Sequence, residues 1–79
     1  MQVSSLWFMA RLAKNFGIEI RKERERLGLS QERFAEIAGI HRTYVSSIEL
    51  GKVDPSLSVA EKVSQALGLN LSEIISRAE

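Results

Sequence analysis

Apolar residues recur at intervals of three and four along most of the chain, and no stretch alternates apolar with polar residues over four or more positions. The first rhythm belongs to helices and the second would mark strands. The pattern predicts an all-α chain of five helices. The first stripe holds Leu6, Met9, Ala10, Ala13, Phe16, Gly17, Ile20, Arg24 and Leu27, with Ser5 as N-cap and Gly28 as stop. Gly17 within a helix costs about 1 kcal/mol against Ala, so close approach of another helix is the expected reason for it. Ser30 opens a second helix with Phe34, Ala35, Ile37 and Ala38 on its apolar side, and Gly39 ends it. A third runs from Arg42 to Leu50, with Val45 and Ile48 inward and Tyr44 beside them. Pro55 keeps Asp54 out of helical geometry, so 51–56 is a turn. Ser56 or Ser58 caps a fourth helix carrying Val59, Val63, Ala66 and Leu67. Asn70 caps a fifth carrying Leu71, Ile74, Ile75 and Ala78.

At 79 residues the chain is expected to form one domain over 1–79. Its 44% hydrophobic and 27% charged residues are ordinary for a globular protein. There is no Cys, hence no disulfide and no thiolate metal site. His41 is the single histidine, and with no suitably spaced carboxylates it makes no zinc set; a surface position near a helix start is expected. No nucleophile with a relay and no phosphate-binding glycine loop is present, so neither an enzyme nor a cofactor is expected. No apolar run approaches a membrane span. The Leu6–Met9 cluster is too short for a signal peptide and lacks a basic leader, which points to the cytoplasm. Trp7 and Phe8 fall off the first stripe. They suit packing over the fourth or fifth helix, or a subunit interface, with core packing the expected role. A chain this small without staples gains from a partner subunit.

Net charge is +1, but residues 11–52 carry a balance of +3 and residues 53–79 one of −2. Such asymmetry suits a protein that turns one face to a polyanion, and equally suits solvated helix surfaces. The run Arg21–Arg26 reads as a solvated face with pairs three and four apart, apart from an inward Arg24.

The stretch from Ser30 to Glu49 is more specific. Gln31 is followed at +4 by Ala35, at +8 by Gly39, at +14 by Val45 and at +17 by Ile48. Two short helices meeting steeply need a small residue at the crossing, which Ala35 supplies, and a reversal after the first helix, which Gly39 permits. Val45 and Ile48 form a narrow buried seam. Arg42, Thr43, Ser46 and Ser47 lie off that seam, with no acid before Glu49. Arg can bond guanine twice, Thr offers a hydroxyl and a methyl, and Ser bonds many partners. A free, polar, acid-free helix face is what the major groove accepts.

Residues 16–75 resemble the Xre/Cro/phage-repressor type of helix-turn-helix domain. The resemblance rests on Phe16-Gly17, Ile20-Arg21, Arg24, Gly28-Leu29-Ser30-Gln31, Phe34-Ala35, Ala38-Gly39-Ile40, Val45, Ile48-Glu49, Gly51-Lys52, Pro55-Ser56-Leu57, Ala66-Leu67-Gly68-Leu69 and Ile74. It implies a lambda-repressor-like bundle of five helices, with the helix-turn-helix at about 30–50, that binds double-stranded DNA as a homodimer. It further implies that Arg42, Thr43, Ser46 and Ser47 approach bases, that Ser30, Gln31 and Lys52 contact phosphates, and that Arg24 and Glu49 form a structural salt bridge. Tyr44 is either a phosphate-contacting hydroxyl or an amphipathic residue at the domain edge. The fifth helix and its preceding loop, about 67–78, are the expected subunit interface, with Leu69, Leu71, Ile74 and Ile75 as contacts. No small-molecule ligand and no membrane are expected.

Arg42-Thr43-Tyr44-Val45-Ser46 followed by Ile48-Glu49 is also similar to the controller proteins of restriction–modification systems. That similarity implies a single-domain dimeric regulator acting on a pseudo-palindromic operator. Two departures stand out. Leu50 replaces a more usual polar or basic residue, and His41 replaces a better capping residue. A reading from another class is an antitoxin-type module that masks a partner protein and autoregulates.

Overall fold

A computed structural model describes the backbone of residues 2–79 and the side chains of Trp7 and of residues 10–79. The expectations for Leu6, Phe8 and Met9 lie outside the described side chains. The described residues form α1 (Gln2–Arg26), α2 (Gln31–Ala38), α3 (Arg42–Glu49), α4 (Leu57–Ala66) and α5 (Leu71–Ala78). The five helices follow the order read from the sequence, without strands among the described residues. None of the helices is long and apolar enough to cross a membrane. Ser5 is not the cap of α1, because the helix already runs through it from Gln2.

Four helices end in one way. After each comes a glycine with φ between 71° and 75°, at Gly28, Gly39, Gly51 and Gly68. The next residue donates its N–H back across the last turn: Leu29 to the Arg24 carbonyl, Ile40 to Ala35, Lys52 to Ser47 and Leu69 to Ser64. This 6→1 bond satisfies carbonyls the helix would leave unpaired, and it folds the following side chain back over the helix end. Leu29, Ile40 and Leu69 use that turn to pack against the core. Lys52 stays exposed. The same geometry explains Leu27, which the stripe placed inside. The chain turns before it can face the core, so Leu27 is exposed and Leu29 takes its place.

Phe16 and Ile20 of α1, Phe34 of α2, Val45 and Ile48 of α3, Val63 of α4 and Ile74 of α5 meet in a single core. Around it α1 packs on α3 and α5, α2 on α3 and α4, and α4 on α5. Two stripe residues point elsewhere, and so does Trp7, which lies off the stripe. Ala10 is exposed on α1. Ile37 is exposed because the buried face of α2 is set by Phe34, Ala35 and Ala38. Trp7, expected in the core, is 62% exposed and has the Arg11 guanidinium 5.2 Å from its ring centre. Ser56, not Ser58, caps α4, its Oγ accepting from the Val59 N–H at 3.2 Å. Asn70 precedes α5 with extended backbone but makes no side-chain cap bond.

Candidate nucleic-acid interface

The Ser30 hydroxyl oxygen accepts from the Arg33 N–H at 3.0 Å and fixes the start of α2. Nine residues after Ser30, Gly39 adopts φ 72°, ψ 33°, a left-handed conformation that costs an L side chain about 1 kcal/mol or more. The chain then reverses into the extended backbone of His41 and begins α3. Val45 and Ile48 are almost wholly buried, so α3 has one orientation on the body. Gly17 sets the depth. A Cβ there would fall inside van der Waals contact of the Ile48 carbonyl oxygen and 3.1 Å from the Glu49 Cα. The backbone of α3 thus rests directly on α1, as the glycine in mid-helix suggested.

The outer side of α3 is free. Arg42 and Thr43 are exposed, Ser46 and Ser47 are half-buried, and Leu50 closes the helix with 57% exposure. Lys52 is exposed just beyond. Tyr44 is half-buried and packed against the core. The ring of His41 makes no cap bond to α3; its Nδ1 lies 3.0 Å from the Thr43 Oγ1.

The one acid of α3 points away from this face. Glu49 is held by Arg24, whose Nε donates to Oε2 at 2.7 Å and whose Nη2 donates to Oε1 at 3.0 Å. The Arg24 Nη1 also donates to the Leu29 carbonyl at 2.7 Å. The paired carboxylate raises the pKa of the Arg24 guanidinium, against the opposing pull of burial. Two parallel charge-assisted bonds fix orientation as well as charge. A single side chain therefore ties α1, the α1–α2 turn and the end of α3 together. The outer face of α3 is left with the positive charge of Arg42, and Lys52 follows. Gln31 joins the network, its Nε2 donating to the Glu49 Oε1 at 3.0 Å. Half of its amide donor capacity is thus turned inward, leaving the other N–H and the carbonyl oxygen.

Of the four residues expected at a subunit interface, three are accessible. Leu69, Leu71 and Ile75 are half-buried at the edge of the core. Ile74 is fully buried within its own chain and is unavailable to a partner. On α5 it occupies the centre of the inward stripe, and Leu71 and Ile75 flank it. A feature the periodicity did not mark lies beside them. Leu12, Phe16, Pro55, Leu57, Leu71 and Ile75 line an apolar groove of about 200 Å³, and Leu57 on its rim is 80% exposed. The signal in the sequence is that Leu57 falls outside the Val59, Val63, Ala66 and Leu67 stripe of α4. The α1 residues Asn15 and Arg11 likewise carry no periodic signal in the sequence. Asn15 Nδ2 donates to the Ala78 carbonyl at 3.1 Å and Arg11 Nη2 to the Glu79 carbonyl at 3.4 Å, so α1 satisfies the free end of α5.

This arrangement has counterparts. A helix-turn-helix family profile matches residues 20–74. Control protein C.MunI from Mycoplasma sp is 49% identical over 65 residues, covering 81% of this chain and 88% of that protein. The HTH-type transcriptional regulator PuuR from Escherichia coli is 40% identical over 63 residues, 80% of this chain but 34% of that longer protein. Among solved structures, the restriction-modification controller protein C.AhdI from Aeromonas hydrophila superposes with a TM-score of 0.75 at 35% identity, covering 78% of this chain and 94% of that one.

Proposed function

Since the chain belongs to the helix-turn-helix family and is a non-enzymatic transcription regulator that binds DNA, we propose that it acts as a homodimer on a pseudo-palindromic operator and controls a restriction–modification system. The observation that carries this reading is the state of α3. Its seam is buried, its single acid is neutralised inward by Arg24, and Arg42 and Thr43 stand exposed at its first turn. Such a helix can enter the major groove with its N-terminal residues against base edges. Arg42 suits the paired acceptors of guanine, and Thr43, Ser46 and Ser47 supply smaller hydroxyl contacts. Ser30, the outward half of Gln31, the Tyr44 hydroxyl and Lys52 serve the phosphates on either side. Leu69, Leu71 and Ile75 contribute to the subunit contact, with Ile74 supporting them from behind. Two-fold symmetry then spaces the half-sites by about 34 Å. Identity to C.MunI over most of both chains supports the controller assignment. The work of such a protein lies in the cytoplasm.

The test is selection of bound sequences from a random DNA pool, followed by Arg42→Ala. A symmetric motif is expected, and the variant should lose about 1–3 kcal/mol on the selected site and relax one base position. Equal loss on selected and random DNA would remove Arg42 from base reading. An asymmetric motif bound by one subunit would remove the homodimer.

A further inference from the structure

A threonine hydroxyl is normally an ambivalent base reader. It is both donor and acceptor, and it rotates to suit whichever base it meets. Thr43 does not have that freedom. Its Oγ1 lies 3.0 Å from the Nδ1 of His41, the residue that precedes α3 and makes no bond to cap it. The ring is engaged with the side chain of Thr43 instead of the helix backbone.

The polarity of this bond depends on which ring nitrogen carries the proton, and the position of the ring favours one arrangement. In a neutral imidazole one nitrogen carries the proton and the other accepts. Nδ1 lies by the first turn of α3, the positive end of the helix dipole, where a lone pair is favoured over an N–H. Nδ1 is then the acceptor and the Thr43 hydroxyl donates to it. The exposed hydroxyl oxygen is then left with free lone pairs and no proton to give. In the major groove such an acceptor is met by the exocyclic amino groups of adenine N6 and cytosine N4. It is not met by guanine O6 and N7 or by thymine O4.

We infer that His41 is a positioning residue for base recognition: it fixes the Thr43 hydroxyl as an acceptor, so that this position of the operator takes a base bearing an amino group. The inference rests on the reading of α3 as the base-contacting helix, and it adds a residue that touches no base itself.

The test is selection from a random DNA pool with the full chain, comparing wild type, His41→Ala, His41→Asn, Thr43→Val and the His41→Ala/Thr43→Val double variant. Asn is a good helix cap, so His41→Asn keeps the start of α3 intact while diverting the side chain to the backbone. Wild type should prefer adenine or cytosine at one position in each half-site. Both His41 variants should reduce that preference by about fivefold or more, the low end of what one base contact discriminates, and leave the other positions alone. Thr43→Val should flatten the same position, and the double variant should add nothing to it. The inference is overturned if the His41 variants weaken all sequences evenly, if they leave the preference intact, if the Thr43 position favours guanine or thymine, or if the two losses add. A wild-type protein that enriches symmetric sites contacted elsewhere, with no change on Thr43→Val, overturns base reading by Thr43 as well. One that enriches no sequence overturns the parent reading of α3.

Discussion

Two residues, Gly17 and Arg24, set where α3 stands, and each acts on a different coordinate. Gly17 governs depth by having no side chain where the Ile48 carbonyl comes to rest. Gly17→Ala gains helix propensity of about 1 kcal/mol, yet it must push backbone from backbone. A net loss of about 1–3 kcal/mol is expected in urea denaturation, as for other overpacked sites. DNA affinity should fall further than stability, because the displaced element is the proposed recognition helix. Arg24 governs rotation through its paired bonds to Glu49. Glu49→Ala strands a buried guanidinium and should cost about 3–5 kcal/mol. Replacing both partners together by Met and Leu should cost much less, and a double-variant denaturation series checks this. The two residues differ in how far the sequence reveals them. Gly17 is legible because glycine inside an apolar stripe demands a reason. The Arg24–Glu49 pair came from family resemblance, since charged residues 25 positions apart carry no periodic signal.

At the scale of the element, the four glycine-terminated helices are what make the sequence easy to read. Each boundary combines a stripe with a stop, and three of the four fold the apolar residue after the glycine back on the core. One departure falls where that rule acts. Counting the stripe onward places Leu27 inside, but α1 ends at Arg26 and the turn carries Leu27 out to solvent. Element ends also carry charge. Glu23 of α1 accepts from Arg26 at 2.8 Å and from Arg77 of α5 at 2.8 Å. The bond from Arg26 is the largest influence on its carboxyl and lowers its pKa below the ordinary 4.5; burial opposes this, and Arg77 adds to the lowering. A carboxyl depressed in the folded state stabilises above its unfolded pKa and loses that contribution as pH falls through the folded one. Acid unfolding followed by circular dichroism should therefore show a loss of stability starting below about pH 4.5. Glu23→Gln should remove part of this loss and leave the neutral-pH fold intact.

For the whole molecule, the distinction between supporting and exposed residues on α5 decides what a dimer test can mean. Ile74→Asp places a charge in the core and should abolish folding, visible as loss of helical circular dichroism. Leu71→Asp acts at the edge of the core and should leave a folded chain that sediments as a monomer and binds the operator weakly. An intact dimer for Leu71→Asp would move the subunit contact away from α5. From sequence alone the two residues are equivalent members of one stripe. The packing of α1 and α4 against α5 separates them.

The bonds from Asn15 and Arg11 to the last carbonyls make the first and last helices a single closed unit, although they stand at opposite ends of the chain. The helix-turn-helix match begins at residue 20, after Phe16 and Gly17 and after both of those donors. A fragment trimmed to the matched boundaries would contain every residue proposed to face DNA, yet it would lack the floor beneath α3 and the clasp on α5. Portability of this reading head is thus limited by a strut that the family signature leaves out.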